Sequence, residues 1–131
     1  MKYRGVLLDL DGTLIKYSVD RFKLTRAILR YLKSINLFYN VYSEADYPIF
    51  MVRKTIRILE GIKLPKPKIN FISSSLFKII EDYEIEASNR TKIIDGTHET
   101  LSFVKQMNLK CGLVTLNSRR STEIILNKFD L

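Results

Sequence analysis

With one cysteine, one histidine and no long apolar run, this 131-residue sequence lies outside several classes of protein. A lone thiol, Cys111, excludes an internal disulfide, and a reducing cytoplasm is the simplest compartment for such a chain. No stretch approaches the roughly 20 apolar residues needed to span a bilayer, so no membrane association is expected. Met1-Lys2-Tyr3-Arg4-Gly5 leads into a short apolar run that Asp9 and Asp11 break, and it is read as neither a signal peptide nor an anchor. Internal repeats and low-complexity tracts are also absent.

The composition that remains is that of a soluble globular protein, 46% hydrophobic and 27% charged, with one domain's worth of length. The net charge of +8 is unevenly spread. Residues 16–94 hold 15 lysines and arginines against 8 acids, whereas residues 1–15 are neutral. A basic middle is either a solvated lysine-rich surface or one that attracts an anionic substrate or nucleic acid.

Apolar periodicity sets the elements. Residues 4–10 form an apolar run without polar alternation, the pattern of a parallel strand buried on both faces. Asp11-Gly12 then marks a turn. A helix over 18–35 carries the stripe Leu24, Ile28, Leu32 and Ile35. Residues 36–45 read as a connector. A second helix starts near Asp46 as N-cap, holds Pro48 in its first turn, buries Ile49, Val52, Ile56 and Leu59, and stops at Gly61. Pro65-Lys66-Pro67-Lys68 reads as a stiff loop. A third helix over 70–87 turns Leu76, Ile79, Ile80 and Tyr83 inward, with Ser73-Ser74-Ser75 as a potential break. Residues 89–96 read as a return connector. Thr97 to Asn108 is helical with Leu101 and Val104 buried. Lys110 to Thr115 is a second apolar strand, in which Cys111 behaves as a small buried apolar residue. Ser118 to Lys128 is a last helix, capped by Asn117 or Ser118. Strands joined through helices imply a parallel α/β sheet, here with only two strands encoded.

Asp9-Leu10-Asp11-Gly12-Thr13-Leu14 at the end of the first strand is the strongest chemical signal. Side chains two apart share a strand face, so Asp9 and Asp11 project toward one small volume. Ligands of parallel α/β sheets bind at that edge. Two carboxylates there are expensive unless paired or metal-bound, and a hard cation such as Mg²⁺ suits oxygen ligands. Gly12 lets the backbone turn, and Thr13 offers a hydroxyl and an N–H. His98, in the first turn of a predicted helix and far from this segment, reads as a surface or helix-start residue.

The run from Val6 to Leu14 resembles the first motif of the haloacid dehalogenase superfamily, a hydrophobic strand followed by Asp-x-Asp-Gly-Thr. Cys111-Gly112-Leu113-Val114-Thr115 is similar to its second motif, a hydrophobic strand ending in Thr or Ser. The resemblance implies an incomplete parallel-sheet core from residues 1–15 and 95–131. Residues 16–94 would be an inserted helical cap of the phosphoglycolate-phosphatase and β-phosphoglucomutase type, which sets specificity. It implies Asp9 as nucleophile forming an aspartyl phosphate, and Asp11 as general acid and then base. Asp9 and the backbone carbonyl of Asp11 would bind Mg²⁺. Gly12, Thr13, Thr115, Leu116 and Asn117 would hold the phosphoryl group. An alkoxide leaving group needs a proton donor and halide does not, so Asp11 favours small phosphate esters over haloacids. A phosphomutase needs the same pair.

The family's lysine and further acids come after its second motif. Here only Lys128, Glu123 and Asp130 follow Thr115. Lys128 lies roughly 15 Å along a helix from the site, at 1.5 Å per residue. A truncated chain is therefore expected, one that self-associates or takes a missing C-terminal segment in trans. The alternative is a non-catalytic basic fragment that binds an anionic partner such as nucleic acid, with Tyr31, Phe38, Tyr39 and Tyr42 available for stacking. Of the two, a phosphorylated small molecule is the expected ligand.

Overall fold

The structure, a computed structural model, describes residues 3–37 and 39–131. Phe38, one of the four aromatics suggested for stacking, lies outside the described residues, as do Met1 and Lys2. The elements in order are β1 (Gly5–Asp9), α1 (Arg21–Ser34), a 3-10 turn (Tyr39–Val41), α2 (Pro48–Gly61), α3 (Lys66–Arg90), α4 (Thr97–Gln106), β2 (Lys110–Val114) and α5 (Arg119–Phe129). None of the described helices is long and apolar enough to cross a membrane. The chain divides into two compact units, one running through Ser18 and resuming at Ile85–Leu131, the other Val19–Glu84. This division follows packing; that at 15/16 and 94/95 followed the motifs.

In the first unit β1 and β2 pair in parallel, with Gly5 opposite Lys110 and Asp9 opposite Val114. Leu10, Leu14, Ile15 and Ile125 form its core, with Leu8, Leu113 and Phe129 against them. The expectation that β1 is buried on both faces fails. Its residues alternate between exposed and half-buried, and Leu7 is 77% exposed. One face of a two-stranded sheet has nothing packed on it among the described residues, so its apolar side chains stay in water. Cys111 is likewise exposed, contrary to expectation, because it lies at the open start of β2.

The second unit is helical. Leu24, Ile28 and Leu32 of α1 meet Met51 and Val52 of α2 and Leu76 of α3 in one core. Burying each such side chain stabilises by about 1.5–3 kcal/mol. Ile35, expected on the stripe, is past the end of α1 and 37% exposed. Asp20 caps α1, accepting from the Lys23 N–H at 3.0 Å. Asp46 does not cap α2: Tyr47 holds that position, and Asp46 instead accepts from the Ser43 N–H at 2.7 Å. Gly61 is still helical; the reversal comes at Lys63, with φ 56°, where Leu64 N–H reaches back to the Leu59 carbonyl at 3.1 Å. Asn36 and Asn108 end α1 and α4 in the same left-handed way. Of the expected loop at 65–68 only Pro65 lies outside a helix; Lys66 starts α3, where Pro67 is tolerated because first-turn N–H groups have no helical acceptor. The serine run does not break α3. The Ser75 hydroxyl donates to the Phe71 carbonyl at 2.9 Å, so it is satisfied within the helix.

Candidate active site

β1 delivers Asp9 to the C-terminal edge of the sheet, and the loop 10–15 carries Asp11 just beyond it. Leu10 is fully buried, and Leu14 and Ile15 nearly so, which pins the loop by its apolar side chains. The Leu10 carbonyl accepts from the N–H groups of Thr13, Leu14 and Ile15 at 3.3, 2.9 and 3.1 Å. Gly12 sits at φ 81°, a left-handed conformation that a side chain would strain, and donates to the Ile15 carbonyl at 2.7 Å. The amides of Gly12 and Thr13 are thus committed to the turn. The Thr13 hydroxyl donates to Asp9 Oδ2 at 3.3 Å.

The parallel register sets Val114 beside Asp9, so Thr115, Leu116 and Asn117 leave β2 at the same edge. The Asn117 N–H donates to Thr115 Oγ1 at 3.1 Å, leaving the hydroxyl proton free to point elsewhere. The Asn117 side chain hydrogen-bonds the Asp11 carboxyl. Leu116 is 75% exposed, so only its backbone is suited to contact a phosphoryl group. Ser118 caps α5, accepting from the Ser121 N–H at 3.2 Å, which decides between the two expected caps.

Asp11 holds its proton above the ordinary carboxylate range. Burial is the largest cause and the charge of Asp9 adds to it, while the Asn117 hydrogen bond opposes both. A carboxyl that is half-buried beside a second carboxylate is suited to carry a proton. Asp9, by contrast, is exposed and open to a substrate.

The lysine after β2 is engaged elsewhere. Lys128 Nζ donates to the carbonyls of Ser88, Asn89 and Thr91 at 3.1, 2.8 and 3.1 Å, binding the end of α3. Glu123 lies 3.7 Å from Arg119 on α5, and Asp130 ends that helix at φ 53°. Among the described residues no group of three or more His, Cys, Asp or Glu side chains could hold a metal. His98 is exposed in the first turn of α4.

Sequence reasoning missed the residues that brace the loop. The buried Thr97 hydroxyl donates to the Leu14 carbonyl at 2.9 Å, and the Thr91 hydroxyl to the Lys16 carbonyl at 2.6 Å. Side-chain to backbone bonds across more than 70 residues leave no periodic trace. Thr91 stands between Arg90 and Lys92 and Thr97 between Gly96 and His98, so no local pattern marks either for burial.

Residues 6–131 match the family model of haloacid dehalogenase-like hydrolases. A haloacid dehalogenase-like hydrolase domain-containing protein of Arabidopsis thaliana is 27% identical over 130 residues, 99% of this chain and 47% of its own length. The structure of a haloacid dehalogenase-like hydrolase of Bacteroides fragilis superposes with a TM-score of 0.59 at 19% identity, covering 96% of this chain and 57% of that one. A predicted phosphoglycolate phosphatase of Haemophilus somnus gives 0.52 at 18% identity, covering 98% and 58%. The chain thus spans about half the length of the relatives it matches.

Proposed function

The chain belongs to the haloacid dehalogenase-like hydrolases, and on that premise we propose that it hydrolyses a small phosphate ester through Asp9 and Asp11. The observation that carries this reading is the parallel register, which brings Thr115 and Asn117 to the edge where Asp9 ends β1. The Asp9 carboxylate attacks phosphorus, and the bond to the leaving oxygen breaks as Asp11 gives that oxygen its proton. Asp11 then takes a proton from water, whose oxygen attacks the same phosphorus. Inorganic phosphate leaves and Asp9 is restored. The Thr115 hydroxyl binds an oxygen of the transferring group, and Asn117 keeps Asp11 aimed. Residues 16–94 act as the cap that sets specificity.

The donor set fits Mg²⁺. The exposed Asp9 carboxylate and the backbone carbonyl of Asp11 offer hard oxygen ligands at one edge, while the Asp11 side chain, driven toward its protonated form by burial and by the charge of Asp9, is kept for proton transfer. The Asp9 carboxylate and the Asp11 backbone carbonyl would hold the ion, which when bound offsets charge on the phosphoryl oxygens.

The test is hydrolysis of p-nitrophenyl phosphate with Mg²⁺ and with chelator, alongside intact-mass detection of a phosphorylated chain. Release of nitrophenol that needs Mg²⁺ and disappears in Asp9→Asn is expected. In Asp11→Asn the phosphorylated chain should accumulate when the leaving group is as good as nitrophenolate. Undiminished turnover by Asp9→Asn would overturn the assignment.

A further inference from the structure

A second feature lies wholly within the helical unit. It is a cleft of about 320 Å³ lined by Arg26, Arg30 and Lys33 of α1 together with Tyr39, Tyr42 and Glu44. Spacings of four and three residues place the three cations within about 60° of one another around the helix. They occupy the side opposite the buried stripe of Leu24, Ile28 and Leu32. Like charges at these spacings destabilise a helix, yet two such neighbour pairs occur here in succession. Glu44 offsets one of them, accepting from Arg26 at 3.2 Å. Arg30 has no acidic partner among the described residues, since every ion pair of the described residues lies elsewhere.

Two tyrosines line it, and Tyr42 is held in place. The Tyr42 hydroxyl is bonded to that of the buried Thr55 at 2.8 Å, and Lys54 Nζ lies 5.1 Å from the Tyr42 ring centre. Lys33 Nζ lies 6.0 Å from the ring centre of Tyr39. Cations and a tyrosine face therefore border the same small volume.

We propose that this cleft binds a small organic phosphate, its phosphate oxygens on Arg30 and Lys33 and its planar part against Tyr39. A guanidinium presents paired donors to phosphate oxygens, and an ammonium adds a point charge. The volume is that of a small-molecule pocket, at the low end of about 300–1,000 Å³. A nucleic-acid strand would need a continuing basic track, and Glu44 interrupts it at the cleft itself.

Isothermal titration of the whole chain, in chelator to silence Mg²⁺-dependent binding, tests this with ADP as probe. One ADP per chain should bind, and adenosine without phosphate should not. Arg30→Gln should weaken ADP about tenfold or more, as loss of a charge-assisted bond does, with partial recovery in Arg30→Lys. Glu44→Gln should strengthen it by removing the opposing charge. Asp9→Asn should leave it unchanged, which separates this site from the phosphoryl-transfer edge. Circular dichroism of each variant should match the parent, since Arg30 and Glu44 are exposed. Absence of binding at about 1 mM ADP, or equal binding of adenosine, would overturn the proposal. So would indifference to Arg30→Gln, or displacement of ADP by single-stranded oligonucleotide at much lower concentration.

Discussion

The helical unit sets six fully or nearly fully buried side chains, Leu24, Ile28, Leu32, Met51, Val52 and Leu76, into one cluster with many half-buried neighbours. The sheet unit's cluster holds four, Leu10, Leu14, Ile15 and Ile125; its strands leave Leu7 and Val114 at 77% and 58% exposure, whereas the helical unit's exposed apolar groups, such as Phe50 and Phe71, lie on the outer faces of helices. The difference comes from backbone hydrogen bonding. A helix satisfies its N–H and C=O groups within itself, so a few helices can close a core by turning stripes inward. A strand satisfies only the side that faces its partner. β1 and β2 pair with each other and present outer edges with no strand partner among the described residues. The acids of the candidate active site sit in the unit with the smaller core cluster. Their loop is held by the buried Leu10, Leu14 and Ile15 and by threonine hydroxyls, not by the bulk of a sheet.

The sharpest test of this contrast is truncation in the unit with the larger core cluster. Ile28→Ala, at the fully buried centre of the helical core, should cost about 2–5 kcal/mol in denaturant unfolding. A cost below about 1 kcal/mol would show that this core is not closed.

Lys128→Met should have a smaller effect, about 1–2 kcal/mol, by releasing the carbonyls of Ser88, Asn89 and Thr91 while keeping the apolar stem. Faster amide exchange should be confined to the neighbourhood of residues 88–94. Uniformly faster exchange along the whole chain would mean that Lys128 supports more than this junction.

Leu7→Lys should leave stability within about 0.5 kcal/mol, since the side chain is already in water. Its effect should appear in sedimentation. The parent chain is expected to self-associate with concentration through its open strand edges, and a lysine on β1 should reduce that. A parent that sediments as a monomer at every concentration would remove the edge argument.

The smallest effect is that of Asp11→Asn in metal-free buffer. The folded pKa of Asp11 lies above its ordinary value of 3.8, so the folded chain keeps this proton to higher pH than the unfolded chain does. The associated stabilisation is present in acid below that value and is lost as pH rises through the raised one. Ionised Asp11 therefore costs stability at neutral pH. Asp11→Asn should raise the melting temperature slightly at neutral pH, and that gain should vanish in acid below the ordinary carboxylate range. A gain that is the same at both pH values would assign it to packing instead.

Much of this was readable in the linear chain. The stripe Leu24, Ile28 and Leu32 announced α1 and its buried face, because period 3.6 is a local property. Asp9, Asp11 and Gly12 announced the acid-bearing turn, because a strand's alternation and glycine's positive φ are local as well. Capping was less legible. Asp46 looks like an N-cap by type, but a competing bond to the Ser43 N–H three residues earlier captured it. Lys63, with no turn signal of its own, takes the left-handed turn expected at Gly61, and the Leu64 N–H then reaches the Leu59 carbonyl.

The order of residues by itself determined the helical stripes, the two short strands and the presence of two carboxylates two residues apart. Short-range sterics and periodicity act over a few residues and are written into any window of that size. The tertiary structure alone decided that β1 lies with one face open, and that Asn117 grips Asp11 more than 100 residues away. It also turned Lys128 to carbonyls at the end of α3, and gathered Arg26, Arg30 and Lys33 beside Tyr39 around one cleft. Each of these depends on which surfaces meet after the chain has folded. Burial, charge proximity and hydrogen bonding between distant residues depend on distance in space, and sequence spacing does not encode that distance.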